Sequence, residues 1–164
     1  MIGHRARHFT RTRDGRFEPR LDQEERELLA TVAIQAQELI TTDDADTRRL
    51  YPVAYPDDAD AQAEFRTLMG DGLRDHHLHV LDTLASTSGA ERLDEAELQQ
   101  WMGAFEVLRL VLGTRLDVEE DMDHIDALDP RAGQFALYAY LSVLQGDIVE
   151  ALATLLPAGS EEDE

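Results

Sequence analysis

Apolar side chains recur every three or four residues along most of this chain. That spacing places them on one face of an α-helix and is the feature that most constrains the fold. The clearest stripe consists of Leu28, Leu29, Val32, Ala33, Ala36, Leu39 and Ile40. A second consists of Trp101, Phe105, Leu108, Val111 and Leu112. Since 164 residues is the size of one domain, the sequence predicts a mainly α, single-domain bundle of five to six helices.

Aspartates mark the expected helix starts. Asp22 and Asp94 are each followed three residues later by a glutamate, which is the pattern of a capping box with aspartate as the cap. Further starts are expected at Asp58 or Asp60 and at Asp129-Pro130.

Glycines mark the expected interruptions. We expect Gly70 and Gly72 to bend or break the helix that contains them, and Gly113 to end its helix as a left-handed cap. The last helix, over 135–156, is apolar almost all round, so we expect it to be the central and most enclosed one.

The first residues predict a β-hairpin over 9–21. Asp14-Gly15 is a dipeptide that suits a two-residue type I′ turn. Such a turn pairs Arg13 with Arg16, Thr12 with Phe17, Arg11 with Glu18 and Thr10 with Pro19. One face then holds Thr10, Thr12, Phe17, Pro19 and Leu21, and the other holds Arg11, Arg13, Arg16, Glu18 and Arg20. Because a two-stranded hairpin is marginal alone, its Phe17 face should dock on the helices. We expect a flexible start over 1–8, one domain over 9–157 and a disordered acidic tail over 158–164.

The charge of this chain is uneven. Residues 1–20 hold six arginines against Asp14 and Glu18, a net +4, so the other 144 residues carry −24 of the total of −20. An acidic body repels phosphates, so any nucleic acid would have to bind the basic arm. The start of the chain has no apolar signal segment, and 135–156 is interrupted by Gln145, Asp147 and Glu150. We therefore expect a cytoplasmic protein with no membrane partner.

Few residues suggest catalysis or metal binding. The chain has no cysteine, which removes disulfides, thiol catalysis and cysteine-bound zinc. It also lacks a nucleophile elbow and a phosphate loop, so we expect no enzyme. His76, His77 and His79 are the best metal candidates, but they are better interpreted as helix residues beside an apolar stripe. The acidic segment 117–124 fails the calcium-loop pattern in both registers and is interpreted as a connector. No cofactor is expected.

The arginines are the strongest candidates for binding. Arg109 and Arg115 lie on an otherwise apolar helix, where a guanidinium can form a partly buried bidentate pair. Arg48, Arg49 and Arg66 could join them around a groove near Tyr51 and Tyr55; the alternative is a network of ion pairs that bridges helices. The hairpin arginines Arg11, Arg13, Arg16 and Arg20 have three interpretations. They could bind nucleic acid, an acidic protein partner, or the acidic body of their own chain.

Several motifs carry a family resemblance over about 9–156. They are the basic hairpin before L-D-x-x-E-x-x-x-L-L, R-R-L-Y-P-x-A-Y-x-D-D at 48–58, A-x-x-E-F-R-x-L at 61–68, L-R-L-V-L-G-T-R-L at 108–116 and the D-P-R-A start of the last helix. With these motifs the chain resembles the actinobacterial family called domain of unknown function 2017. The resemblance implies a mainly helical protein and supplies no catalytic residues. It also implies an association with the Clp protease, since members are often encoded near an adaptor of that protease, and some are labelled transcriptional regulators. The histidine-rich D-H-H-L-H at 75–79 departs from the family.

The leading functional hypothesis is a non-enzymatic protein-interaction or regulatory module with an unidentified protein partner. A link to Clp proteolysis comes from the resemblance alone. The alternative is a nucleic-acid-binding transcriptional regulator that uses the arginine-rich hairpin. The sequence leaves the oligomeric state open.

Overall fold

A computed structural model describes residues 7–51, 53–117 and 128–157. Within these ranges the elements are the strands β1 (Phe9–Arg11) and β2 (Phe17–Pro19), α1 (Gln23–Thr41), a 3₁₀ helix (Ala45–Leu50), α2 (Ala59–Thr87), α3 (Glu95–Leu116) and α4 (Ala132–Ala153). The predicted fold, a helical bundle with an N-terminal hairpin packed on it, is confirmed. The expectations for residues 1–6, for the acidic connector over 118–127 and for the tail over 158–164 lie outside the described residues.

The capping signals place three helix starts. Asp22 and Asp94 each accept a hydrogen bond from the backbone N–H three residues on, and the glutamate there bonds back to the cap N–H, so both predicted capping boxes are confirmed. Of the two candidates for the start of α2, Asp58 is the N-cap, and its side chain accepts from the Ala61 N–H at 3.1 Å.

Three expectations about where helices start, break or end are wrong. Helix α2 continues through Gly70 and Gly72, so of the expected bend or break the break does not occur, because a long helix tolerates a cost of about 1 kcal/mol per glycine. Gly113 lies inside α3, and Asp117 is the left-handed residue that ends it, with φ 51°. Helix α4 begins two residues after Pro130. The Asp129 carboxylate instead accepts from the Arg131 N–H at 2.8 Å, in the turn before the helix.

The central helix is α3, not α4 as expected. Helix α3 packs on α1, α2, α4 and the 3₁₀ helix and has the most buried residues of the described helices. Helix α4 fully buries only Leu141, Leu144, Ile148 and Ala151. Apolar residues all round a helix show that it tolerates burial, but they do not fix its place in the bundle. Helix α4 is also long and apolar enough, at a mean hydropathy of 1.2, to span a membrane; a core helix of a soluble protein passes the same test.

The hairpin register differs from the predicted one by one residue. The observed pairs are Phe9–Pro19, Thr10–Glu18 and Arg11–Phe17. The turn is a three-residue loop in which Gly15 adopts φ 80° and the Thr12 N–H bonds the Arg16 carbonyl at 2.8 Å. A one-residue shift moves every side chain of one strand to the opposite face relative to the other strand, and here β1 is the strand that changes. Here it turns Phe9 toward the core, edge-on to Trp101 at 6.0 Å between ring centroids.

The same shift splits the predicted arginine face. Because Arg11 is paired with Phe17, it shares the core-facing side of the hairpin, whereas Thr10 and Glu18 lie on the other side. The predicted docking of the Phe17 face on the helices is confirmed, since Phe17 is fully buried. Phe17 also exchanges two backbone hydrogen bonds of 2.8 Å with Leu93, just before α3, which anchors β2 to the bundle.

Candidate interaction groove

An apolar groove runs between α1 and α4 over the surface of α3. Its volume is about 540 Å³, within the usual range for ligand sites. We call it the α1–α4 groove. It is lined by Val32, Gln35, Ala36, Glu38, Leu39 and Thr42 of α1, Leu108, Val111, Leu112 and Arg115 of α3, and Gln134, Leu137 and Leu141 of α4.

The groove exists because α1 and α4 both pack on α3 but are held to each other mainly at one end. There Tyr140 donates a hydrogen bond of 2.8 Å to the Glu25 carboxylate. Burial, helped by that carboxylate, raises the pKa of Tyr140 far above its ordinary value, so the phenol stays protonated and keeps donating. Toward the other end the space between the helices is left to the lining side chains.

The lining can bind apolar groups. Val32, Leu39, Leu112 and Leu137 are only half-buried, so they offer apolar surface that nothing else in the described chain covers fully. At one end of the groove, the Arg115 Nε donates to Asp46 of the 3₁₀ helix at 2.9 Å. The remaining polar side chains of the lining are Gln35, Glu38, Thr42 and Gln134. An apolar floor with a polar rim suits the docking of a stripe of apolar side chains.

The five body arginines singled out from the sequence do not gather around one groove. Arg66 lies over the Tyr51 ring at 4.9 Å and pairs with Asp43 at 3.1 Å. Arg115 forms an ion pair with Asp46, and the Tyr55 ring packs edge-on to Phe65. Each of these contacts bridges separate elements, as the ion-pair interpretation describes.

Arg49 and Arg109 are both placed near the Tyr138 ring, beside α3. A Cβ on Gly113 would lie 3.3 Å from Arg49 Nη1 and 3.6 Å from the Tyr138 ring. The Arg109 guanidinium lies 5.3 Å from the centre of that ring and donates to Gln145 at 2.6 Å. Gly113 therefore leaves space for a guanidinium and an aromatic ring. Arg48 is exposed and makes no ion pair within the described ranges.

The hairpin arginines divide into two pairs. Arg11 donates to the Thr154 carbonyl at 2.8 Å, at the C-terminal end of α4, where a cation is favourable. Arg20 donates to the Thr10 hydroxyl at 2.9 Å. Arg13 and Arg16 are exposed, and their guanidinium groups make no hydrogen bond to the described part of the chain. Two of the four predicted binding arginines are thus engaged within the chain itself.

The histidines are not arranged as a metal site. His77 faces inward, with Nε2 3.2 Å from the Leu50 carbonyl and Nδ1 buried without a partner. Burial lowers the pKa of His77, which favours a neutral ring that donates from Nε2. His76 and His79 are exposed. Over residues 7–51, 53–117 and 128–157, no three His, Asp or Glu side chains are placed to hold a metal ion.

Arg26 was missed from the sequence. Its guanidinium donates to four backbone carbonyls, those of Pro19, Leu21, Ser88 and Ala90, at 2.8–3.1 Å. It thereby joins the hairpin, α1 and the turn between α2 and α3. A signal was present: Arg26 lies near the N-terminal end of α1, where a cation opposes the helix dipole and therefore needs another role.

Comparison with known proteins identifies a matching family and several similar proteins that carry names. A model of the family described as "Domain of unknown function (DUF2017)" matches residues 6–152. The chain is 32% identical over 144 residues to the putative oxidative stress regulator AosR of Mycobacterium leprae, covering 77% of this chain and 66% of that protein. It is 31% identical over 127 residues to the oxidative stress regulator AosR of Mycobacterium tuberculosis, covering 66% of this chain and 58% of that protein. The chain thus spans less than two thirds of these relatives' length. No solved structure matches it.

Proposed function

This chain belongs to the domain of unknown function 2017 family, and on that premise we propose that it is a regulatory protein that binds another protein and catalyses no reaction. Similarity to proteins named oxidative stress regulators supports the regulatory part. Their name states no mechanism, so the mode of action is argued from the geometry of this chain. A cytoplasmic location fits this role.

The α1–α4 groove is the observation that carries the proposal. Its walls are two helices, its floor is a third, and its lining keeps half-buried apolar side chains open to the surface. Such grooves accept the apolar face of a partner helix in many regulatory complexes. The ionisable side chains in the lining are Glu38 and Arg115, and Arg115 is already paired with Asp46. This lining therefore fits a binding role better than a catalytic one.

The absence of cysteine supports action through binding. None of the 164 residues is a cysteine, so no thiol in this sequence can be oxidised or form a disulfide. A response to oxidants by this chain would then go through oxidation of its four methionines or through a partner molecule.

The test is capture of a partner by wild-type protein and by two matched variants. Leu137→Asp places a charge in the groove, whereas Leu68→Asp makes the same change on α2 at a side chain that is 76% exposed and outside the groove. We expect a protein that wild type and Leu68→Asp retain from a lysate of the source organism, and that Leu137→Asp loses. Equal retention by all three, or a monomer that retains nothing, would contradict the proposal. Circular dichroism shows whether both variants stay folded.

The alternative, a nucleic-acid-binding regulator, now depends on Arg13 and Arg16, because Arg11 and Arg20 are bonded within the chain. Two phosphate contacts on a body of charge −24 provide little affinity. This alternative expects a DNA mobility shift at low salt that the double variant Arg13→Ala/Arg16→Ala abolishes. No shift at low salt would remove it.

A further inference from the structure

We propose that the occupant of the α1–α4 groove is an amphipathic helix that carries lysine or arginine beside its apolar stripe. The inference rests on the proposed function and names the chemistry of the partner. Helix α3 packs on both α1 and α4, while those two leave an open space between them. A helix lying in that space would contact all three, at the spacing of about 8–10 Å that packed helices adopt.

The apolar surface of α1 extends beyond the groove. Residues about 11 apart on a helix share one face, three turns along. Leu28, which is 41% exposed, therefore lies in line with Leu39 of the groove, and Val32 lies between them. On α4, Gln134, Leu137 and Leu141 repeat at the same helical spacing. Both walls thus present ridges one turn apart, which match apolar anchors at i, i+3 or i+4, and i+7 of a docked helix.

Carboxylates flank the apolar surface of α1. Glu27 and Glu38 are aligned three turns apart on one side, and Glu24 is aligned with Gln35 by the same rule. These three glutamates form no ion pair with any described residue. The one cation of α1, Arg26, is turned away to four backbone carbonyls. The α1 wall therefore presents uncompensated negative charge.

Charge selects among the possible occupants. Helix α4 contains no lysine or arginine, and its acids Asp147 and Glu150 already face His8 and Arg7 of this chain. The free carboxylates are therefore those of α1, and a partner needs its cations along that side. A second copy of this chain carries −20 as well, so repulsion opposes it as the occupant.

The probe is a labelled synthetic peptide of about four helical turns, with leucine at i, i+3, i+4 and i+7 and lysine elsewhere. A matched peptide replaces each lysine with glutamate. We expect the lysine peptide to bind the full chain saturably in fluorescence anisotropy and the glutamate peptide to bind at least tenfold more weakly. Equal binding of the two would overturn the proposal.

Two variants locate the binding. Glu27→Lys/Glu38→Lys reverses charge along the groove, and Asp60→Lys/Glu64→Lys makes the same net change on the exposed start of α2. Leu137→Asp and Leu68→Asp repeat the comparison for the apolar surface. We expect the lysine peptide to bind each groove variant at least tenfold more weakly than it binds wild type. It should bind each control variant as tightly as wild type. Because Glu27 and Glu38 are outside the core, the charge-reversal variant still tests the proposal if Leu137→Asp does not fold.

Other results would overturn the proposal. Equal weakening by both charge-reversal variants would show general attraction to an acidic protein. A concentration-dependent dimer that Leu137→Asp dissociates would assign the groove to a second copy, and a small apolar molecule retained in native mass spectrometry would assign it to that class of ligand. A lysate partner lost by Leu137→Asp, together with no binding of the lysine peptide, would leave the proposed function standing and end this inference.

Discussion

His8 Nδ1 lies 2.6 Å from the Asp147 carboxylate, so the residue before β1 is bonded to the C-terminal half of α4. Both side chains are largely shielded, at 24% and 13% exposure. The His8 ring also lies edge-on to Tyr140, which bonds Glu25 of α1. The basic hairpin therefore helps to hold α4 in place, and α4 is one wall of the candidate groove.

Removing the carboxylate of Asp147 should loosen this attachment. We expect Asp147→Ala to lower the free energy of unfolding by about 2 kcal/mol, since a shielded hydrogen bond to a charged group contributes about that much. Urea denaturation followed by circular dichroism measures the change. Glu150→Ala is the control, because Glu150 is 4.0 Å from Arg7 with both side chains mostly exposed. If His8→Ala and Asp147→Ala add without coupling, the bond contributes nothing.

Arg26 should be more sensitive than its exposure suggests. We expect Arg26→Lys to destabilise the fold by about 2 kcal/mol, because an ammonium cannot reach four carbonyls in the way a planar guanidinium does. Arg48→Lys, at an exposed position, should change stability by less than about 0.5 kcal/mol. Equal melting temperatures for the two variants would contradict the role assigned to Arg26.

Local sequence signals predicted the helix starts but not the hairpin register. Asp22, Asp58 and Asp94 act on backbone groups within one turn, so a short stretch of sequence contains all that is needed. The register depends on Phe9 packing against Trp101, a contact across the whole fold. Burial of an aromatic ring outweighs the preference of Asp14-Gly15 for a two-residue turn, and Gly15 fits the longer loop equally well.

The groove and the arginine partners could not be predicted because they depend on how helices are placed. Helical periodicity identified Val32 and Leu39 as apolar-face residues of α1, but it gives no separation between α1 and α4. In the same way, the sequence marked Arg109 and Arg115 as unusual without showing that Gln145 and Asp46 would face them. Such partners lie far apart in the chain, and no local pattern links them.

His77 should make stability depend on pH. Burial lowers its pKa below the ordinary value of 6.5, so in the window below 6.5 the unfolded chain binds a proton that the folded chain does not. The contribution of neutral His77 is fully present above pH 6.5 and is lost as the pH falls toward the lowered pKa of the folded chain. His77→Gln, which keeps a donor for the Leu50 carbonyl, should give a shallower fall in melting temperature between about pH 7 and 5.

The matched control for His77 is His79→Gln, which removes an exposed imidazole from the same helix. An equal change of slope in both variants would contradict the role of burial. The comparison needs only thermal melts at several pH values.

Substituting three helical glycines with alanine distinguishes the gain in helix propensity from the steric cost of the added Cβ. At Gly146 nothing lies within 4 Å of an added Cβ, so Gly146→Ala should stabilise the fold by about 0.5–1 kcal/mol. At Gly103 the Cβ would lie 3.3 Å from Val80, which is buried and β-branched and cannot yield, so Gly103→Ala should destabilise by about 1 kcal/mol or more. At Gly113 the same 3.3 Å separates the Cβ from the mobile end of Arg49. Gly113→Ala should therefore lie between the other two in urea denaturation. If it proved as costly as Gly103→Ala, Arg49 and Tyr138 would be held at Gly113 as rigidly as Val80 is held at Gly103.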